Sequence, residues 1–478
     1  MAAAIVTEES LFASASAAYP AAGLDDLGRP GRGFQTARAA LERLLREHPD
    51  GDRAAAAELR LGLLQMDPAN PDADLEAARA SFERLVRRAP RAPEAPGALE
   101  AAALCRRLKG ETAAAVALDV RLLAEHPADP AAARARLRLA LEAGRRGDAD
   151  ASRLLPSDAE SGASAPSRAL GDLLRRAAEE EAGNAPRERD ADASFDSPAV
   201  KQPVSMAASR VGSILVLDAA SGRIVSAGDS AGDGAADGGS DGEPAVEAPD
   251  PPAEAPRRQG VALDPQGRVW TWDEKGVTPP DGARVEPRGI ARKGETAPAL
   301  KRIAAVAPGP LGTVDVVDAS GEQVLRYGPG FVLRGVVPLP ARPLAAARGD
   351  DGTLDVLLAS RPRKVIEIHP GSPGAAGWPL KGGAEPGQGW ETSTIPLEGA
   401  AGAGAPIAIA RDALGRLYVL DEDARSVTLL DRAGRRVATF AAPKDSAMEL
   451  RAPVSLAVDG AGRVYVGDKK LGRVVRYR

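Results

Sequence analysis

Cysteine is almost missing. Cys105 stands alone among 478 residues, which excludes an internal disulfide and any cysteine-built zinc cluster. Histidine is scarce too: His48, His126 and His369 are the whole supply, so little imidazole is on hand for catalysis or metal binding. Aromatic residues make up only 3%, so the cores must be filled by Leu, Val, Ile and Ala. Asparagine occurs only at Asn70 and Asn184. No apolar run approaches the roughly 18 residues that a membrane-spanning helix requires. Charge of neither sign dominates: 62 basic against 67 acidic side chains leave a net charge of -5, which gives no global pull toward nucleic acid.

What is present divides into two texts. The length suits two or three domains. The first 190 residues are dense in Ala, and Arg outnumbers Lys throughout, a bias that reads as a GC-rich, bacterial coding sequence. Residues 1–32 carry no clear leader and end in a Pro, Gly and Asp-rich loop. This leaves a periplasmic or envelope location if a leader was removed, and a cytoplasmic one otherwise.

From residue 33 to 183 the apolar spacing is helical. Gln35–Glu47 places Ala37, Leu41, Leu44 and Leu45 on one face, and His48-Pro49 ends it. Asp52 is placed to cap the following helix, Arg53–Gln65. Leu75–Arg88 and Glu111–Glu125 repeat the pattern, ending at Pro90 and Pro127. In all three copies a small Ala precedes the proline by twelve residues (Ala37, Ala78, Ala115) and a Leu by five (Leu44, Leu85, Leu122). Pro130–Gly144 and Leu170–Glu181 predict further helices. A two-helix repeat of this length implies a solenoid. With Ala and Pro in these places it resembles the tetratricopeptide repeat, although the Trp and Tyr of that family's first helix are missing. The resemblance implies a concave groove for a peptide or partner helix.

Residues 184–203 read as a polar linker, and the period then changes to two. Gly212–Val225 (GSILVLDAASGRIV) is a strand, a turn and a strand. Variants start near Gly260, Ile303, Leu344, Ile407 and Val454, making six units in residues 204–478. Short strands in such units predict a six-bladed β-propeller. The last two units resemble the NHL repeat: Pro406, Gly415, Tyr418, Val419 and Asp421 match it, as do Pro453, Gly462, Tyr465, Val466 and Asp468. The final unit has three strands, so a fourth is expected from the stretch Val200–Ala208. An insertion at 229–256, with eight acidic and no basic residues, reads as disordered. The stretch 370–405 carries Trp378 and Trp390 and reads as partly ordered.

No residue pattern declares a catalytic, cofactor-binding or metal site. Cys105 reads as a buried apolar residue. His48 and His126 repeat in one Leu-Leu-x-Glu-His-Pro context and read as helix ends. His369 is the single propeller histidine, too little by itself for the channel chemistry of lyases that the NHL class resembles. Asp218, Asp273, Asp318, Asp421 and Asp468 recur after the second strand and read as turn caps, against the alternative of a cation-binding ring. Arg268, Arg416 and Arg463 follow Gly turns and could line an RNA-binding face.

The fold expectation is therefore multidomain: an N-terminal α-helical tetratricopeptide-like solenoid and a C-terminal all-β, six-bladed NHL-type propeller. The functional expectation is a non-enzymatic scaffold for protein–protein contacts within a bacterial cell-envelope complex. It implies other proteins as partners, no cofactor, and neither nucleic acid nor a small-molecule substrate. The alternatives are a propeller-type lyase or lactone hydrolase with accessory helices, and an RNA-binding propeller.

Overall fold

A computed structural model describes residues 7–29, 32–155, 164–182, 188–189, 191–195, 200–227, 257–280, 282–289, 298–370, 390–397 and 404–477. The acidic insertion and Trp378 lie outside the described residues.

Eight α-helices are seen among them: α1 (Glu8–Ala18), α2 (Phe34–Glu47), α3 (Ala54–Met66), α4 (Leu75–Arg88), α5 (Ala95–Leu108), α6 (Thr112–Glu125), α7 (Pro130–Arg145) and α8 (Ala165–Glu181). From α1 to α7 each helix packs on the next. The repeated residues explain why. Ala37, Ala78 and Ala115 are fully buried, as are Leu44 and Leu122, and Leu85 nearly so. Each of those leucines has a second task. Its carbonyl accepts the N–H of the residue that closes the helix: His48 to Leu44 at 2.7 Å, Ala89 to Leu85 at 2.8 Å, His126 to Leu122 at 2.9 Å. Small residues let neighbouring helices approach closely. A methyl group on Gly62 of α3 would lie 2.4 Å from the Phe82 ring of α4. The expected cap at Asp52 is replaced: Arg53 occupies the position, and its backbone N–H goes to Glu8 Oε1 of α1 at 2.6 Å. The helix α1 itself stands in the stretch 1–32, for which no helix was predicted.

Six sheets follow. Blade 1 is built from Pro203–Ala208, Ile214–Asp218 and Ile224–Ala227; blade 2 from Gly260–Leu263, Val269–Trp272 and Val277–Thr278. Blade 3 has Ile303–Pro308, Val314–Asp318, Gln323–Gly328 and Val332–Pro338; blade 4 has Pro343–Arg348, Leu354–Leu358, Lys364–Pro370 and Trp390–Pro396. Blade 5 has Pro406–Arg411, Leu417–Asp421, Ser426–Leu430 and Arg436–Phe440, and blade 6 has Pro453–Val458, Val464–Asp468 and Arg473–Tyr477. Second strands of blades 1, 3, 4, 5 and 6 are buried on both sides, as expected for sheets stacked face to face around an axis. The first strands neighbour one another in cyclic order, with Pro453–Val458 beside Pro203–Ala208. Among the described residues no hydrogen-bonded ladder joins one sheet to the next, and the blades meet by side-chain packing. The coarse architecture is thus an N-terminal helical region and a six-bladed propeller-like arrangement.

The outer strand of blade 6 differs from expectation. It is Ala191–Phe195, antiparallel to Arg473–Tyr477 with Ala191 opposite Tyr477 and Phe195 opposite Val474. Glu188–Arg189 adds a short parallel edge to blade 5. Both fall in the stretch expected to be a linker, whereas Pro203–Ala208 is the innermost strand of blade 1. The reason is pairing capacity. Pro203–Ala208 is claimed by the adjacent Ile214–Asp218 through a short turn, and only the segment before it is left over.

The helical region seats on the propeller face that carries the turns between first and second strands. Leu311 of blade 3 enters the helical core, and Leu414 of blade 5 packs with Ala140, Ala143, Leu173 and Leu174. Arg145 Nε donates to the Ala413 carbonyl at 3.1 Å. Glu180 of α8 pairs with both Arg189 and Arg416. Among the described residues no helix is long and apolar enough to cross a membrane.

Candidate active site beside the propeller channel

The first strands of all six blades line an axial cavity of about 340 Å³ with small apolar residues, among them Ala207, Ala262, Ala305, Ala346, Ala408 and Ala457. One position in each blade matters most: the last residue of the first strand, paired with the first residue of the second. It is Ala208, Leu263, Pro308 and Val458 in blades 1, 2, 3 and 6. In blades 4 and 5 it is Arg348 and Arg411. Both arginines line the cavity, yet their side chains are only 11% and 4% exposed.

Their partners come from a substitution inside the repeat. Blades 2, 5 and 6 share a local lock. The Asp that opens the turn takes the backbone N–H and Nε of the Arg four residues on, together with the ring N–H or hydroxyl of the aromatic six residues on. The three sets are Asp264–Arg268–Trp270, Asp412–Arg416–Tyr418 and Asp459–Arg463–Tyr465. The arginines expected to line an RNA-binding face are therefore folded back onto their own turns. Blades 3 and 4 lack this lock. Gly309 and Gly349 replace the Asp, Thr313 and Thr353 the Arg, and Asp315 and Asp355 the aromatic. Each of these aspartates is fully buried and is met by an arginine of the following blade.

The two pairs are not equivalent. Asp315 is held by Arg326 through two hydrogen bonds of 2.7 Å and also by Arg348. Burial would raise its pKa, but the two guanidiniums outweigh burial and hold the carboxyl below the usual range. Among the described residues Asp355 is paired with Arg411 alone, with Nε 2.5 Å away. Burial pushes Asp355 up to about 7, and Glu367 and Asp351 push the same way against Arg411. Arg411 is shared: its Nη2 donates to Glu367 Oε1 at 2.6 Å, and Asp351 Oδ2 lies 4.0 Å from Nη1.

From Glu367 the contacts run outward. Ser393 Oγ donates to Glu367 Oε2 at 2.7 Å, and His369 Nε2 is 3.2 Å from Ser393 Oγ. Because the serine proton points at the carboxylate, Nε2–H must donate to Ser393. That leaves Nδ1 to accept from the Thr353 hydroxyl at 3.2 Å. The His369 side chain is 38% exposed, so the chain reaches from the cavity wall to solvent. Nothing in the sequence singled out Asp355, Glu367 or Ser393. The available signal was the break in the repeat, Leu-Asp-Val at 354–356 where blades 5 and 6 carry Tyr.

The other anticipated residues behave structurally. Cys105 is fully buried, and burial pushes its thiol up to about 12. Asp218, Asp421 and Asp468 each accept two backbone N–H groups from the loop entering their blade, and others from their own turn. Asp273 and Asp318 cap their turns through Lys275, Gly276 and Ser320. Among the described residues no three His, Cys, Asp or Glu side chains are grouped as a metal ion would need. Between Asp351, Asp355 and Glu367 stands the Arg411 guanidinium.

No protein-family model matches the chain, and no curated protein matches it. Among solved structures it is similar to a streptogramin B lyase, with 14% identity and a TM-score of 0.39 over 60% of this chain and 96% of that one. It is also similar to a gluconolactonase from Xanthomonas campestris (13% identity, TM-score 0.39, 61% and 97% covered). A third is the aldose sugar dehydrogenase of Streptomyces coelicolor (13% identity, TM-score 0.34, 61% and 99% covered). These likenesses assign no activity to this chain. With enzymes standing in those places, the expectation of a non-enzymatic envelope scaffold, with protein partners and no small-molecule substrate, is withdrawn.

Proposed function

We propose that the propeller is an enzyme acting on a small molecule by proton transfer, of the lyase or lactone-hydrolase type, at the junction of blades 4 and 5. The observation that supports this is the hydrogen-bonded series from Arg411 in the cavity wall through Glu367 and Ser393 to His369. A carboxyl that titrates near neutrality serves acid and base roles equally well, and Asp355, buried behind Arg411, is pushed into that range. His369 carries the exposed imidazole: a substrate proton taken at Nδ1, in place of the Thr353 hydroxyl contact, is balanced by Nε2–H passing its proton to Ser393, whose own proton goes to Glu367, and Arg411 with Asp355 sets the charge behind them. This differs from a propeller whose histidines or carboxylates converge on the axis, because here the axial wall is mostly Ala, Val, Leu and Ile.

The test is an assay of the purified chain on a panel of lactones and of esters prone to β-elimination. Turnover should appear in the wild type and fall about 100-fold or more in His369→Gln with the fold unchanged. Asp355→Asn should move the pH limb near 7. A wild type silent on both panels, or turnover indifferent to His369→Gln, would end this reading.

A further inference from the structure

A second cavity, of about 810 Å³, opens between the helical region and blade 5. One wall is the C-terminal end of α7 and the last turns of α8; the other is formed by the first and last turns of blade 5. Six arginines line it: Arg145, Arg146, Arg416, Arg432, Arg435 and Arg436. Three acids face them, Glu180, Glu181 and Asp431, and Leu414, Ala177 and Val437 give an apolar backing.

Most of these charges are already matched. Arg416 is held by Asp412 and Glu180, Arg432 by Asp351, and Arg435 by Asp431. Arg145 pairs with Glu142 and donates to the Ala413 carbonyl, but its Nη2 is buried with no acceptor. Arg146 and Arg436 are exposed, sit on opposite walls, and have no carboxylate partner among the described residues. A buried guanidinium nitrogen without an acceptor is costly, and like charges held across a cleft repel. Such an arrangement persists most easily when something negative enters between the walls. The volume lies within the range of small-molecule sites.

We propose that this cleft binds a small polyanion, a phosphate- or carboxylate-bearing molecule gripped by Arg146 from the helical side and Arg436 from blade 5. Bound there, it bridges the two parts of the molecule. The site touches the blade 4 cluster only through Asp351, which pairs with Arg432, and the proposal does not depend on that cluster's chemistry.

Isothermal titration of the full chain at low salt tests it, with inorganic pyrophosphate and citrate as probes. Either probe should bind at one site, and whichever binds more tightly names the phosphate or the carboxylate as the recognised group. Binding should weaken at least tenfold in Arg146→Gln/Arg436→Gln. It should be unchanged in Arg153→Gln/Arg175→Gln, which removes the same charge from exposed helical positions. Hydrogen exchange with the better probe should slow in residues 144–148 and 412–416. No binding to the wild type, or equal weakening in the two double variants, would overturn the proposal.

Discussion

Blades 3 and 4 differ from blades 5 and 6 at the three positions of the turn lock, and the difference shows how a repeat acquires chemistry. Blades 5 and 6 fill the inner end of the second strand with Tyr418 and Tyr465, whose hydroxyls return to the aspartate of their own turn. The need is met locally, and the residue beside the axis can be anything; blade 6 uses Val458. Blades 3 and 4 bury Asp315 and Asp355 in the same place. A buried carboxylate needs a cation. Asp315 draws one from its own blade, Arg326, and both aspartates draw one from the end of the next blade's first strand. A change in one blade therefore dictates Arg348 and Arg411 in its neighbour. Charge reaches the axial wall as a by-product of satisfying the interior.

The comparison is broken most severely by removing the better-paired aspartate. Asp315→Ala leaves Arg326 and Arg348 facing each other in the interior and should cost about 3–5 kcal/mol. Tyr465→Phe in the other class of blade should cost only about 1 kcal/mol, since the ring stays and only the polar contacts of the hydroxyl go. Denaturant unfolding of both variants measures the contrast, and equal losses would show that the two solutions are energetically alike.

The two aspartates should also respond to pH with opposite sign. The folded Asp355 carboxyl keeps its proton up to about 7, whereas the unfolded one releases it near pH 4. Folding therefore takes up a proton in that window, and stability falls as pH rises through it, by up to about 1.4 kcal/mol per unit. Asp315 is held low, so its contribution is present above the unfolded value and is lost as pH falls toward the folded one. Unfolding free energies of Asp355→Asn and wild type at pH 5, 6, 7 and 8 should diverge in favour of the variant as pH rises. Parallel curves would mean that Arg411 fully compensates Asp355.

Glu180→Gln probes the seat of the helices on blade 5. Its carboxylate is shared by Arg189 and Arg416, and losing that charge should cost about 2 kcal/mol and speed hydrogen exchange in α8. A similarly small effect is expected at Gly415, where φ is +81°. Gly415→Ala should cost about 1 kcal/mol or slightly more, measured by thermal unfolding.

Much of this architecture was legible in the sequence because each repeat writes its own core. Leu44, Leu85 and Leu122 recur at one offset from a proline, and Tyr418 and Tyr465 at one offset from a glycine. What escaped depends on pairs remote in sequence. Nothing about Arg348 says that it neutralises Asp315, because the partner lies a whole blade away. Ser393 reaches Glu367 across the outer strand pairing of blade 4, beyond a segment whose length carries no register. The scaffold expectation followed from treating the two regions as independent beads, yet Leu311 and Leu414 cross between their cores.

The seating of Ala191–Phe195 against Arg473–Tyr477 has a consequence for synthesis. A ribosome makes this segment before the first blade and its partner after the last. While five blades assemble in turn, the segment must stay extended without finding another edge to extend. Securing the circle is thus postponed until translation has passed Tyr477, and a ribosome stalled earlier leaves a ring that cannot latch.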